Sequence, residues 1–230
     1  MPILTFKPKI ITRQLVSSLK DRTRDIIVQR YGLAENADKK TLEAIGDKYG
    51  ITRERIRQIT NFAFNLMKES QAFESAKDIF SELKENIERK GEILSERDVL
   101  IHLAGNDPLA QNHIYFLLVL GDEFTKLKED EEFHHRWTTH MDHADKVHQA
   151  LRALHSGISE NDLISEKDII SSLKKHIEKI VEEKIDEEMA KVWLNLSKVV
   201  GQNAMGEWGR ASSPSVKPRG VRDLAFLVLR

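Results

Sequence analysis

The side chains best equipped for chemistry lie in one short run: Arg53, Glu54, Arg57, Gln58 and Asn61. On a helix, spacings of i, i+1, i+4, i+5 and i+8 put all five on a single stripe. An arginine can hold guanine O6 and N7 together, a glutamate accepts from cytosine N4, and glutamine can bond adenine or thymine. That is the chemistry of reading base edges in a DNA major groove rather than of breaking bonds. The bland alternative for such a stripe is a charged, solvated helix face.

The flanking residues specify the elements that would position this stripe. Thr41 is placed to cap a first helix with Glu43 near its positive end, and Leu42, Ile45 and Tyr49 share one face. Gly46 is small where two helices cross closely, and Gly50 supplies a tight turn. Thr52 caps a second helix whose buried face is expected at Ile56, Ile59 and Ala63. The pattern predicts a helix-turn-helix, with the stripe outward on its second helix. Upstream, Ile11, Leu15 and Leu19, then Ile26, Ile27 and Arg30, show helical periodicity that Gly32 closes.

Charge is distributed to match. The net charge is -1, but residues 1–69 carry 14 Lys+Arg against 8 Asp+Glu, and residues 70–200 carry 17 against 27. The last thirty residues hold 5 against 2. A phosphate backbone attracts the two ends and repels an average face of the middle. The chain has no cysteine, which excludes disulfides and thiolate zinc sites. No apolar run is long enough to span a membrane, and the start lacks the pattern of a signal peptide, so the expected location is the cytoplasm.

The acidic middle contains an internal repeat. Leu94-Ser95-Glu96-Arg97-Asp98-Val99-Leu100 matches Ile164-Ser165-Glu166-Lys167-Asp168-Ile169-Ile170. Each copy offers a serine cap with acids in the following turn, and an apolar helix follows, at His113 to Leu120 and Met189 to Val200. Alternation from Phe124 to Trp137 reads as a β-hairpin, with a shorter counterpart from Gly201 to Trp208. A further helix is expected from Ala72 to Arg89. The expected fold is mainly α: an N-terminal helix-turn-helix at 1–69, winged-helix-like units at 70–142 and 143–205 with short hairpins, and a C-terminal segment at 206–230.

Residues 10–68 closely resemble region 4 of bacterial primary sigma factors. The family pattern Thr-Leu-Glu-Glu-Val/Ile-Gly is met at Thr41 to Gly46, differing mainly at Ala44, and Thr-Arg-Glu-Arg-Ile-Arg-Gln-Ile is reproduced unchanged at Thr52 to Ile59. Asp21 to Leu33 is similar to the preceding family helix and its Arg-Tyr-Gly-Leu ending. The resemblance implies that Arg53, Glu54 and Gln58 read bases of a -35 promoter element. It also implies that Arg22, Arg30, Thr41, Arg55 and Arg57 hold phosphates or neighbouring backbone, so Arg57 is a candidate for both tasks. It further implies docking on the flap of the RNA polymerase beta subunit, which makes Leu15, Leu19 and Ile26 either core or docking groove. Thr60 stands where the family usually has Glu, and Phe62 where a basic or polar residue often reaches the duplex. No segment resembles the part of a sigma factor that melts DNA. Gly206 to Leu229 is similar to the entry of a HARE-type helix-turn-helix domain, as in the RNA polymerase delta subunit.

Other constellations are weaker. His134, His135, His140, His143 and His148 surround Trp137 without the spacing of an established metal site, so no metal and no cofactor is expected. Asp122/Glu123 and Glu129 to Glu132 lack a companion nucleophile and read as a solvated loop, while Trp137, Trp193 and Trp208 read as core anchors. The sequence therefore predicts a non-enzymatic DNA-binding transcription regulator or polymerase accessory. A polymerase- or sigma-interacting module that does not read DNA is the alternative.

Overall fold

A computed structural model describes residues 4–221, together with 223 and 225. The chain is mainly helical with small antiparallel sheets. Helices α1 (Pro8–Ser17), α2 (Asp21–Tyr31), α3 (Leu42–Tyr49) and α4 (Arg53–Lys68) come first, followed by α5 (Gln71–Glu74) and α6 (Lys77–Lys90). Strand β1 (Ile93–Ser95), α7 (Glu96–Ala104), α8 (Pro108–Leu120), β2 (Thr125–Leu127) and β3 (Arg136–Thr138) follow. Then come α9 (Met141–Ser156), α10 (Glu166–Ile180), α11 (Glu187–Leu194), β4 (Val200–Gln202) and β5 (Trp208–Arg210). Two units divide these elements: Met1–Asn86 with Val99–Phe124, and Ile87–Asp98 with Thr125–Arg230.

The first unit carries the helix-turn-helix. Gly32 ends α2 in the left-handed conformation (φ 62°), as its position after the apolar run predicts. Leu15, Leu19 and Ile26 are buried, which makes them core rather than groove. Helix α8 is apolar on nearly every side, and such a helix must be enclosed. It packs on α1 and α2, and its Asn112 donates from Nδ2 to the carbonyls of Gly32 (3.0 Å) and Ala37 (2.9 Å). Phe116 of α8 meets Tyr31 and Phe64 with ring centroids 5.3 and 5.8 Å apart. This helix was expected in a winged unit at 70–142; the structure gives it to the N-terminal unit, because that is where its all-round apolar surface finds cover.

The second unit reproduces the sequence repeat as paired strands. Strand β3 lies between β1 and β2, and Leu94 opposite Trp137 is in register. Seventy residues on, Ile164 forms an isolated bridge to Trp208 on β5, which pairs antiparallel with β4. The residue before each capping serine thus faces a tryptophan on a hairpin. Ser95 accepts from the Asp98 amide (3.0 Å) and Ser165 from the Asp168 amide (3.2 Å), so both caps form.

Several expected boundaries move. The division at 142/143 falls inside the first turn of α9, a single helix whose buried stripe begins at Ala144 and continues through Val147, Leu151 and Leu154. The division at 205/206 falls in the turn between β4 and β5, so Trp208 serves the hairpin. Pairing in the first hairpin begins at Arg136 rather than Phe133, which instead bridges Ser197. The helix expected over Ala72 to Arg89 is two, α5 and α6, separated at Ser75 and Ala76. The apolar segment Val221 to Leu229 lies mostly outside the described residues.

Candidate nucleic-acid interface

Three isoleucines, one from each of α2, α3 and α4, build the platform beneath the stripe. Ile26, Ile45 and Ile56 are fully buried together, with Leu42, Tyr49, Ile51 and Ile59 packed around them. Each such side chain contributes about 1.5–3 kcal/mol on burial. Both expected caps are formed: Thr41 Oγ1 accepts from the Ala44 amide and Thr52 Oγ1 from the Arg55 amide, each at 3.1 Å. Gly50 closes α3 at φ 64°, a conformation that costs an L side chain about 1–2 kcal/mol.

Gly46 is needed for a neighbour other than the expected one. A Cβ there would lie 2.5 Å from the Ile51 carbonyl oxygen, so the close approach is to the turn and not to a crossing helix. The turn is thereby drawn tightly under α3, and this sets where α4 begins.

A polar node absent from the sequence reading fastens α2 to α3. Asp25 Oδ2 accepts from Gln29 Nε2 (2.5 Å), Lys48 Nζ (2.9 Å) and the Tyr49 hydroxyl. Partial burial pushes the Asp25 carboxyl up, but the hydrogen bonds from Tyr49, Lys48 and Gln29 outweigh it and hold the group below its ordinary value. Burial, followed by the bond to Asp25, raises the Tyr49 phenol. The acid–amide spacing of Asp25 and Gln29 was the available signal, although their partners on α3 lie more than twenty residues away.

Arg53, Glu54, Arg55, Arg57, Gln58 and Asn61 are all exposed on α4. Its buried residues are Ile56, Thr60, Ala63 and Met67, while Ile59 is half-buried. Ile59 packs half-buried on the platform as expected, Thr60 joins it on the inward side, and the Thr60 hydroxyl donates to the Ile56 carbonyl (2.9 Å). A glutamate there would be carried into the core, which gives a physical reason for threonine.

The stripe makes bonds within itself. Arg57 donates to Glu54 from Nε (2.9 Å) and Nη2 (2.7 Å), and Arg55 Nη1 donates to Gln58 Oε1 (3.1 Å). The Arg57 bond lowers the Glu54 carboxyl and the same contact raises Arg57. Both partners are bathed in water, so these pairs exchange readily for solvent or for a ligand. Arg53 and Asn61 hold no side-chain hydrogen bond among the described residues.

The four remaining phosphate candidates are distributed as follows. The Arg22 guanidinium lies 5.1 Å from the Tyr49 ring centroid, and Arg30 Nη1 donates to the Lys40 carbonyl (3.1 Å). Arg55 lies on the first turn of α4, and Thr41, exposed, is engaged as the cap of α3. The structure therefore brings the base-reading candidates and Arg55 together on α4, with Arg22 and Thr41 on α2 and at the start of α3. The histidines around Trp137 are dispersed: His148 is buried against Arg136, whereas His140 and His143 pair with Glu88 and Glu92. Among the described residues no group of three or more His, Cys, Asp or Glu is arranged to hold a metal ion, and no helix is long and apolar enough to cross a membrane.

A helix-turn-helix of this geometry, with this stripe, defines the class of the N-terminal segment: residues 15–69 match the family model "Sigma-70, region 4". Similar proteins include the RNA polymerase principal sigma factor HrdD of Streptomyces griseus, 46% identical over 54 residues, which are 24% of this chain and 16% of that protein. The RNA polymerase sigma factor RpoS of Coxiella burnetii is 50% identical over 44 residues, 19% of this chain and 12% of that protein. The sigma factor SigA1 of Synechococcus elongatus is 51% identical over 45 residues, 20% of this chain and 11% of that protein. The chain thus spans less than a fifth of the length of these relatives. No solved structure matches it.

Proposed function

We propose that this chain is a DNA-binding transcription factor whose α4 enters the major groove of promoter-like, -35-type DNA and which works alongside RNA polymerase. One observation carries the reading: the N-terminal half of α4 presents guanidinium, carboxylate and amide groups outward from a buried isoleucine platform. Arg53, Glu54, Arg57, Gln58 and Asn61 are the base readers in this reading, and Arg22, Arg30, Thr41 and Arg55 steady the backbone. Contact with polymerase, the beta flap included, rests on the likeness to sigma factors. The protein is a binder and not an enzyme in this account.

The test is fluorescence anisotropy of the full chain on duplexes carrying a -35-type element or a scrambled one, across a salt series. Specific affinity should fall steeply with salt, at about 0.9 log unit per log unit of salt for each phosphate contacted. Arg53→Ala should cost about 1–3 kcal/mol on the specific duplex and relax one base preference. Equal, weak binding to both duplexes would overturn the reading.

A second reading is favoured by Phe62 and Leu66, which lie one helical turn apart on α4 at 61% and 38% exposure. Apolar side chains on that face suit a protein partner. A polymerase- or sigma-interacting module would lose partner binding on Phe62→Ser while Arg53→Ala left it intact.

A further inference from the structure

We infer that the first unit holds a binding site for a small organic carboxylate with an apolar body, in the hollow bounded by α1, α2 and α8. The hollow measures 380 Å³, within the range of small-molecule sites. Val16, Val28 and Leu33 give it apolar walls, Thr12 and Arg13 line it from α1, and His113 lines it from α8.

Unmet polar groups identify the hollow as a site. Thr12 and His113 are each only 1% exposed. Thr12 Oγ1 and both ring nitrogens of His113 are buried without a hydrogen-bond partner. Leaving three such atoms unmet is costly to a fold, and a bound molecule that pairs with them removes the cost. Burial, then the charges of Lys9 and Arg13, pull His113 down to about 4 against a weaker upward pull from Asp107, so its ring is neutral near pH 7. A neutral imidazole offers one N–H donor and one acceptor, and the Thr12 hydroxyl offers another donor.

Charge selects the ligand class. Arg13 is exposed and has no ion pair among the described residues. The other guanidinium, on Arg24, is already spent on the carbonyls of Val16 (3.1 Å), Ser17 (3.3 Å) and Leu19 (2.7 Å). Lys9, whose charge also reaches His113, is paired with Glu35 (3.6 Å), so Arg13 is the cation left for a ligand. That suits a monoanion better than a polyphosphate, and the valine and leucine walls suit a hydrocarbon body. In the resulting complex the Thr12 hydroxyl and the His113 N–H donate to the carboxylate, and Arg13 closes the mouth with a charge-assisted bond.

Neither the site nor its test depends on α4 reading DNA. The experiment follows the His113 imidazole resonances of the full chain by NMR, assigned through their loss in His113→Gln, during titration with phenylacetate and with its uncharged amide. Saturable shifts with phenylacetate at millimolar concentration are expected, with the amide about tenfold weaker. Arg13→Gln, an exposed change that leaves the core untouched, should weaken phenylacetate about tenfold, and Thr12→Val should weaken it as well. Equal affinity for acid and amide, unchanged affinity in Arg13→Gln, or no saturation with phenylacetate would each overturn the proposal.

Discussion

Replacing Gly46 with alanine should unsettle the helix-turn-helix at one atom pair. The new methyl carbon would stand 2.5 Å from the Ile51 carbonyl oxygen, whereas ordinary contact begins at 3.4 Å, so the turn must retreat by about 0.9 Å. The obstacle is backbone, held by the bond from the Ile51 amide to the Gly46 carbonyl (3.0 Å), and cannot swing aside as a side chain can. Overpacking of this kind costs about 1–3 kcal/mol, and a backbone obstacle puts the change in the upper part of that range. Alanine is the better helix former by about 1 kcal/mol, which works in the opposite direction. The net loss should be about 1–2 kcal/mol. For a unit of this size, that corresponds to a fall in Tm of about 4–10 °C. Urea denaturation followed by circular dichroism reads the loss directly. Gly50→Ala is the control: no atom lies within 4 Å of its Cβ, so only the left-handed backbone is penalised. Since α4 begins at the same turn, Gly46→Ala should also weaken duplex binding more than Gly50→Ala at matched stability. Wild-type stability in Gly46→Ala, or duplex binding weakened no more by Gly46→Ala than by Gly50→Ala at matched stability, would refute the reasoning.

Two further outcomes follow from local chemistry. Thr52→Ala removes the oxygen that accepts the Arg55 amide and should cost about 1 kcal/mol by denaturation, whereas Thr52→Ser should restore most of it. His148 and His155 are held neutral, each with a pKa near about 4: burial is the main cause for both, and Arg136 and Arg152 add to it at His148. Above the ordinary value of 6.5 neither state of these rings binds a proton, so their stability contribution is complete. As pH falls from there toward about 4, the unfolded chain takes up protons that the native rings refuse, and stability is lost by up to about 1.4 kcal/mol per pH unit per histidine. Urea midpoints at about pH 7 and about pH 5 measure this. His148→Gln, which keeps an acceptor for Arg136, should show a smaller fall, and an identical fall would disprove the assignment.

The helix-turn-helix was legible because its signals are short in range. Thr41, Gly50 and Thr52 act on residues no more than four positions away, and the isoleucine spacing marks the buried face within two turns. The repeat was legible for a similar reason, since a serine cap with acids behind it is a local device, and both copies form it. The destination of α8 was not legible: a helix apolar on all sides gives no direction, and Asn112 finds its carbonyl partners 75 and 80 residues away. The Asp25 node was hidden for the same reason, because two of its three donors, Lys48 and Tyr49, sit on a different helix. Within the stripe, exposure was readable from spacing. The bond between Glu54 and Arg57 was implicit in their i, i+3 separation but competes with solvent and ligand, and spacing alone carries no record of that competition.

Helix α4 is anchored along both halves: Ile56 and Thr60 hold the first against α2 and α3. Its second half is clamped by Ala63 and Met67 in the core, by Phe64 against Tyr31 and Phe116, and by the pairing of Lys68 with Asp122. The arginine-bearing half therefore lies on a fixed bed and has little freedom to pivot. A duplex receiving such a helix must supply the compliance itself, so discrimination among targets would follow how easily each one flexes as well as which bases it displays.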